Sequence, residues 1–227
     1  MLQTIGKGIN YLFGKGLVQK AKMAIAPSLQ FLDRERKIDT SYFDYIRLSA
    51  LELICHEIKN KHIAGNLAEV GVFKGKFARY LNQHFPERSL YLFDTFEGFD
   101  KRDVATENDH NYSSADQNFS DTSVQKVLDI MPYPEKCIVK KGYFPETAVD
   151  VQDIFALVSL DTDLYEPIYN GLVFFYPKLA QGGYIMVHDF NNDHYKGVRD
   201  AVIRFCTEHK IGYTPLPDKA GSVIIAK

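Results

Sequence analysis

The 227-residue sequence lacks several features that would assign it to a specialised class of protein. It has three cysteines and no CxxC pair, which favours a reducing compartment over a disulfide-stapled secreted domain. No apolar run approaches the ~18 residues of a membrane span. The net charge of −2 offers nucleic acid no strong electrostatic attraction. We therefore expect a cytoplasmic protein that neither spans a membrane nor binds nucleic acid.

The composition is that of one ordinary globular domain, with 45% hydrophobic and 25% charged residues. The N-terminus differs from the rest, because four lysines and no acid precede Asp33. We predict an N-terminal arm or helical extension over residues 1–39 and the main domain over residues 40–227. The arm makes a homodimer contact reasonable, and attachment to a membrane surface or a lid over a nearby site are the alternatives.

Beyond the arm, short apolar segments alternate with helical patterns. The strand segments are "LAEV", "SLYLFD", "KCIVKKGYF", "FALVSLD" and "GYIMVHD", and "GSVIIAK" ends the chain. Strands separated by helices predict an α/β fold, a Rossmann-like mainly parallel sheet with helices on both faces and an antiparallel edge strand. The long polar stretch "DKRDVATENDHNYSSADQNFSDTSVQKV" is predicted to be a loop, either functional or disordered. Asp121, Thr122 and Ser123 near its end also make a good helix start, so helix capping is the alternative for these residues.

The first predicted strand ends in "AEVGVFKG", a glycine turn into a helix. Glycine lets the backbone approach a ligand closely. The turn is not the dinucleotide fingerprint, because Glu69 stands where its first glycine would be, before Gly71 and Gly75. A carboxylate there repels a pyrophosphate but accepts hydrogen bonds from an ammonium group or a ribose hydroxyl. The alternative is a tight turn with incidental glycines.

The second predicted strand ends at Asp94, which follows Gly71 by 23 residues. An acid at this spacing is placed to accept hydrogen bonds from ribose hydroxyls. An aspartate at a strand end also caps helices, so the ribose interpretation depends on the glycine turn beside it.

Two later strands also end in acids: Asp161 and Asp163 follow one, and His188 and Asp189 follow the next. Neighbouring parallel strands bring their carboxyl ends together, so Asp161 and Asp189 are expected to converge. Oxygen ligands at this density suit Mg²⁺, and the histidine nitrogen widens the choice to Mn²⁺ or Fe²⁺. The alternative is a helix cap by Asp163 and a solvated turn in "DFNND".

Five segments together resemble the macrocin O-methyltransferase family of class I S-adenosylmethionine-dependent enzymes. They are "LAEVGVFKGKFARYL", "LYLFDTFEGF", "FSDTSVQKV", "VSLDTDLYEPIYNGLVFFYPKLAQGGYIMVHDF" and "GVRDAVIRF". The resemblance covers residue 40 to the C-terminus and identifies residues 40–227 as a methyltransferase domain. It implies methylation of a hydroxyl, notably on a sugar of a natural product, with S-adenosylmethionine and Mg²⁺ or another divalent cation.

The resemblance also implies a set of site residues. The cofactor-binding residues would be Glu69, Gly71, Val72, Gly75, Asp94, Thr95, Gly98, Phe99, Asp121, Ser123, Gly142 and Phe144. The metal ligands would be Asp161, His188 and Asp189. The family's acid pair after the fifth strand reads Asp-Asp, whereas this chain has His188 and Asp189, which removes one negative charge.

We expect the acceptor hydroxyl to lose its proton to Asp161, with Asp163 as the second candidate for the general base. Methyl transfer needs that oxygen aligned opposite the departing sulfur. Three other functions stay open: a methyltransferase of a catechol-like diol, a non-catalytic homologue that binds the cofactor, and an NAD-dependent oxidoreductase, which Glu69 disfavours.

Overall fold

The structure, a computed structural model, describes residues 44–227, of which Ile54–Lys227 forms one compact unit. The predicted arm over residues 1–39 lies outside the described residues, and the boundary at residue 40 stays a prediction. None of the described helices has the length and apolar character needed to cross a membrane.

Six helices and seven strands make up the described part of the chain. The helices are α1 (Tyr45–Asn60), α2 (Lys76–His84), α3 (Lys101–His110), α4 (Val124–Leu128), α5 (Tyr165–Lys178) and α6 (Lys196–His209). The strands are β1 (Asn66–Val70), β2 (Leu90–Asp94), β3 (Cys137–Lys141), β4 (Phe155–Leu160), β5 (Leu179–Val187), β6 (Thr214–Pro215) and β7 (Val223–Ala226). Two short 3₁₀ turns, Pro134–Lys136 and Glu146–Ala148, flank β3.

The seven strands form one sheet in the order β3-β2-β1-β4-β5-β7-β6. The first five strands in this order pair in parallel, and β7 runs antiparallel to both β5 and β6. The predicted Rossmann-like sheet with antiparallel strands at one edge is therefore confirmed. The strand order reverses between β1 and β4, which is where doubly wound sheets bind their ligands.

The centre of the sheet is buried on both faces, which explains the apolar strand sequences. Every residue of β4 is buried. Phe155 of β4 meets Phe175 of α5 edge to face with ring centroids 5.0 Å apart, and Phe93 of β2 meets Phe175 at 5.9 Å. Each such ring contributes roughly 1.5–3 kcal/mol through burial. This packing fixes the strand ends on which the site stands.

The polar stretch after β2 is helical at its start, so the prediction of a loop there was wrong for residues 101–110. Asp100 caps α3 by accepting the Arg102 N–H at 2.9 Å. The inward face of α3 carries two buried acids, Asp103 and Glu107, one turn apart. Because this buried face is polar, α3 shows no apolar stripe, and the hydrophobic pattern of the sequence did not indicate a helix.

Glu107 links α3 to the start of α5. Its carboxylate accepts the Tyr165 N–H at the start of α5 at 2.8 Å. The residue at the N-cap of α5 is Leu164, whose side chain makes no capping hydrogen bond. The predicted alternative of a cap by Asp163 is therefore not observed. Glu107 instead satisfies the helix terminus from a distance and holds the end of β4 in place.

Candidate active site

The Gly71 turn lies next to Asp161, the first of the acids that follow β4, at the point where the strand order of the sheet reverses. Val70 of β1 pairs with Leu160 of β4, and the Asp161 N–H donates to the Val70 carbonyl at 2.9 Å. Gly71 has a φ of +84°, and a Cβ added there would lie 2.1 Å from the Asp161 carbonyl oxygen. Only glycine fits this position. The predicted cofactor turn and the predicted catalytic acid are therefore neighbours in space.

Asp94 organises the turn at the end of β1. Its Oδ2 accepts the N–H groups of Val72 and Phe73 at 2.7 and 2.8 Å. Its Oδ1 accepts the Phe96 N–H at 2.6 Å. Hydrogen bonds to an ionised carboxylate are among the strong ones. The structure thus brings Asp94 and Val72 together, as expected for a shared cofactor site, and the hydrogen bond from Asp94 to the ribose stays a prediction.

Glu69 lies next to this turn, inside β1. It is buried, with 1% of its surface exposed, and pairs in register with Leu92 of β2 and Ser159 of β4. A buried carboxylate costs free energy unless its charge is compensated. Its place at the reversal point agrees with the position predicted for it.

The turn after β2 is held by its own side chains. Thr95 Oγ1 donates to the Gly98 carbonyl at 2.6 Å, and the Glu97 N–H donates back to Thr95 Oγ1 at 3.2 Å. Gly98 has a φ of +92°, which a side chain would strain. Phe99 then points its ring at Phe119, edge to face at 5.1 Å. The predicted residues Thr95, Gly98 and Phe99 thus form one compact turn.

The loop before α4 lies against the glycine turn. Asp121 forms ion pairs with Lys74 at 2.8 Å and with Lys126 at 3.1 Å, and both pairs are exposed. The Thr122 hydroxyl donates to the Phe73 carbonyl. Ser123 caps α4 by accepting the Lys126 N–H at 3.2 Å. Asp121 is therefore near the predicted cofactor site, while Ser123 is a helix cap, the alternative weighed for it.

Gly75, Gly142 and Phe144 mainly serve packing. Gly75 has a φ of +70° at the start of α2, and a Cβ there would lie 2.9 Å from Met131. The Gly142 N–H donates to the Asp94 carbonyl at 2.9 Å, which ties β3 to the end of β2. Phe144 is buried in the core and stacks on Phe175 with centroids 5.9 Å apart. Direct contact of Phe144 with a cofactor thus has no support from its surroundings.

The predicted metal ligands converge at the ends of β4 and β5. The His188 N–H donates to the Leu160 carbonyl at 3.0 Å, which sets the two strand ends side by side. His188 Nδ1 lies 3.1 Å from Asp161 Oδ1 and 2.7 Å from Asp189 Oδ2. One donor atom from each of these three residues lies within 4.8 Å of the others. We call these three residues the acidic cluster.

The surroundings of Asp189 favour the ionised form of its carboxyl. Burial by itself would raise the pKa of its carboxyl, but the hydrogen bond and the charge of His188 outweigh burial and lower the pKa below its usual value. Asn192 Nδ2 donates to the other carboxylate oxygen at 2.7 Å. Asn192 was missed as a site residue, although its position three residues after the aspartate is a common turn spacing that indicates such a contact.

The acidic cluster fits a divalent cation by its chemistry. Two carboxylates, of which Asp161 is partly exposed and Asp189 is buried, and one imidazole suit Mg²⁺, Mn²⁺ or Fe²⁺. His188 Nδ1 cannot donate a proton to the carboxylates and coordinate an ion at the same time, so an ion would replace that proton. Asp163, the second candidate base, follows Asp161 with a φ of +62° and interacts with Asp189.

A polar groove of about 460 Å³ lies beside the loop that follows the acidic cluster. The end of α3 and the loop after it form one wall, and the loop before α6 forms the other. The lining residues are Asn108, Asn111, Tyr112, Ser113, Ser114, Asp193, His194 and Lys196. Amide and hydroxyl groups dominate this surface. Sequence reasoning missed the groove because its walls come from segments far apart in the chain.

The sheet order, the glycine turn at its reversal point and the acids at the strand ends define a class I methyltransferase fold. Two solved structures share the fold: the O-methyltransferase NovP and the calicheamicin methyltransferase CalS11. NovP has a TM-score of 0.68 and 22% identity, covering 80% of this chain and 79% of its own. CalS11 has a TM-score of 0.63 and 18% identity, covering 93% and 90%.

The family model described as Macrocin-O-methyltransferase (TylF) matches residues 33–218, so the chain belongs to this family. The resemblance expected from the sequence motifs is thereby confirmed. A curated relative, the demethyldecarbamoylnovobiocin O-methyltransferase of Streptomyces niveus, is 25% identical over 158 residues. The match covers 63% of this chain and 60% of the relative, so it spans less than two thirds of that protein.

Proposed function

We propose that this chain is an S-adenosylmethionine-dependent O-methyltransferase that works with a divalent cation on a hydroxyl of a sugar or natural-product glycoside. One observation carries the proposal: the Gly71 turn touches the backbone of Asp161. Transfer of a methyl group requires the sulfonium and the acceptor oxygen to lie side by side. The contact supports a site that these two groups would share.

The cofactor half of the site would be formed by Glu69, the Gly71 turn and Asp94. S-adenosylmethionine carries an ammonium group and a sulfonium, and a buried carboxylate such as Glu69 favours positive charge close by. Asp94 accepts three N–H groups that fix its carboxylate in one orientation. A carboxylate offers about four lone-pair sites, so Asp94 retains capacity to accept a ribose hydroxyl.

The acceptor half would be the acidic cluster, with Asp161, His188 and Asp189 as the ligands of the cation. A divalent cation bound there would lower the pKa of an acceptor hydroxyl. Asp161 lies at the reversal point and would take the proton of that hydroxyl. Asp189, fixed by His188 and Asn192, would keep its negative charge and its orientation throughout.

The rest of the acceptor would lie in the polar groove. Its side-chain amides and hydroxyls match the hydrogen-bonding demand of a polyhydroxylated molecule better than that of a flat aromatic one. This favours a sugar-containing acceptor over a catechol-like diol. Three free cysteines, two of them buried, are consistent with the cytoplasmic location that is part of the proposal.

A second candidate function follows from His188. Its Nδ1 contacts both carboxylates, as a proton shared between two acids would require. If this proton holds the acids too firmly to be displaced by an ion, the chain is a cofactor-binding homologue without metal-assisted catalysis.

Calorimetric titration with S-adenosylhomocysteine, with and without Mg²⁺, tests the proposal. Micromolar binding supports the cofactor half, and methyl transfer to demethyldecarbamoylnovobiocin or to a panel of sugar acceptors then tests the acceptor half. Absence of S-adenosylhomocysteine binding contradicts the methyltransferase function. Tight binding combined with turnover that chelators leave unchanged contradicts metal assistance alone.

A further inference from the structure

Tyr195 is a buried residue of the loop between the acidic cluster and α6. Only 4% of it is exposed, and its ring belongs to the hydrophobic core. The ring meets Phe99 of the predicted cofactor turn nearly perpendicularly, with centroids 6.3 Å apart. Its backbone is fixed as well, because its N–H donates to the Asn192 carbonyl at 3.0 Å. The phenol is thus held in one place between the two halves of the site.

The Tyr195 hydroxyl makes no hydrogen bond within the part of the chain that the structure describes. Other tyrosines here, although less buried, donate to carboxylates: Tyr91 to Asp153 at 2.6 Å and Tyr143 to Asp103 at 2.9 Å. A buried hydroxyl without a partner lowers stability, so such groups in native proteins call for an explanation. One explanation is a ligand that hydrogen-bonds to the Tyr195 hydroxyl when the site is occupied.

The surroundings of Tyr195 identify the kind of ligand. Burial raises the pKa of its phenol, and the negative charges of Asp163 and Asp189 raise it further, followed by those of Asp116 and Glu107. The hydroxyl is therefore protonated. Asn192 ties Tyr195 to the acidic cluster, because its carbonyl accepts the Tyr195 N–H and its side chain donates to Asp189. A neutral hydroxyl in that position both donates to and accepts from an oxygen held by a cation.

We propose that the Tyr195 hydroxyl hydrogen-bonds to an oxygen atom in the coordination shell of the divalent cation bound by Asp161, His188 and Asp189. This inference rests on the metal-assisted form of the proposed function. Small hard cations keep several water ligands, and three protein ligands leave positions for them. Partners outside the ligand set orient those that bind the ion. Tyr195 is a positioning residue in this sense, since it acts on the ion through a bound oxygen.

Binding of Mn²⁺ alone, followed by calorimetry and by the electron paramagnetic resonance of the free ion, tests the proposal on the full chain. Tyr195→Phe removes only the hydroxyl and keeps the packed ring. We expect its Mn²⁺ affinity to fall about tenfold, with an unchanged or higher Tm because an unpaired buried hydroxyl has been removed. Asp161→Asn should abolish Mn²⁺ binding.

Tyr91→Phe is the matched control, because Tyr91 lies near the amino ends of the strands and its hydroxyl is already bonded to Asp153. It should lower the Tm and leave Mn²⁺ affinity unchanged. The proposal is overturned if Tyr195→Phe binds Mn²⁺ as tightly as the wild type, or if its Tm falls as far as that of Tyr91→Phe.

The outcomes separate this inference from the proposed function. A wild-type chain that binds S-adenosylhomocysteine but no Mn²⁺ overturns the role of Tyr195 and leaves methyl transfer standing. A chain that binds Mn²⁺ but no S-adenosylhomocysteine overturns the methyltransferase proposal, while the comparison of Tyr195→Phe with the wild type still decides the role of the hydroxyl.

Discussion

Two aspartates at the carboxyl ends of different strands are held in different ways. Asp94, the last residue of β2, accepts three backbone N–H groups. Asp189, which follows β5, accepts hydrogen bonds from two side-chain nitrogens, His188 Nδ1 and Asn192 Nδ2, each at 2.7 Å. Both carboxylates are anchored, but only Asp189 has an ionisable partner.

This difference separates a fixed half of the site from an exchangeable half. The N–H groups around Asp94 belong to a turn that the fold itself determines, and no ligand can displace them without disturbing the backbone. The nitrogen beside Asp189 can give up its proton and leave the carboxylate for an ion. Under the proposed function, the cofactor half would therefore be pre-formed, whereas the metal half would be completed on binding.

The largest effect is expected from Asp161→Asn, which removes the proposed base and a proposed cation ligand while keeping the shape of the side chain. Turnover should fall by about 10²–10⁴-fold. Binding of S-adenosylhomocysteine and the Tm should stay close to wild type, because the change leaves the Asp161 backbone, which lies against Gly71, in place. Single-turnover kinetics on an acceptor identified for the wild type measures the loss. Full turnover with an intact fold would rule out Asp161 as the base.

The next effect is expected from Asp94→Ala, which leaves three N–H groups without their acceptor. The free energy of unfolding should fall by roughly 2–4 kcal/mol, and S-adenosylhomocysteine binding should be lost. Urea unfolding without ligand measures the first and calorimetry the second. Asp94→Asn keeps one oxygen acceptor and should recover part of the stability. If Asp94→Ala is as stable as the wild type, the turn is not held by this carboxylate.

A smaller effect is expected from His188→Asp, which restores the acid pair typical of the family. Mg²⁺ affinity should rise about tenfold, because a third carboxylate adds negative charge to the ligand set. The metal-free protein should become less stable, since Asp161 and Asp189 would lose a nitrogen partner and gain a like charge. His188→Asn, neutral and similar in size, is the control. Unchanged Mg²⁺ affinity in His188→Asp would exclude residue 188 as a ligand.

The sheet and the strand-end acids were predictable because both follow from local patterns. Apolar runs mark the buried strands, and a parallel sheet brings their carboxyl ends to one edge. Thus Asp161 and Asp189 were expected to converge before any coordinates. The His188 contact to both acids could not be read from the sequence, because it depends on the register of β4 against β5.

Other features were hidden because long-range contacts determine them. The start of α5 at Tyr165 depends on Glu107 of α3, whose carboxylate accepts the Tyr165 N–H from a distant part of the chain. Phe144 follows a glycine turn like a ligand-binding residue, yet it packs into the core. The unpaired hydroxyl of Tyr195 likewise appears only once the neighbours in space are known.

The smallest effect is expected at Asp103, a buried acid whose hydrogen-bond partner is the Tyr143 hydroxyl and not a cationic nitrogen. Burial raises the pKa of Asp103 to about 6, and the hydrogen bond from Tyr143 offsets only part of this shift. The folded state therefore binds this proton more tightly than the unfolded chain does. Stability from this group is present below pH 4 and is lost as the pH rises through about 6.

Asp103→Asn keeps an oxygen acceptor for the Tyr143 hydroxyl and cannot ionise. At pH 7 it should be more stable than the wild type by about 1 kcal/mol, after allowance for solvent screening, and at pH 4 the two should be equal. Urea unfolding at both pH values measures the difference. Asp100→Asn is the control of opposite sign, because the Arg102 guanidinium lowers the pKa of Asp100 and its charge stabilises the fold at pH 7. A gain for Asp103→Asn that is the same at both pH values would show that the charge of Asp103 is not responsible. The contrast with Asp189 would then fail. Burying a carboxylate that is hydrogen-bonded by a hydroxyl, as Asp103 is, would cost no more stability than burying one that is paired with nitrogen donors, as Asp189 is.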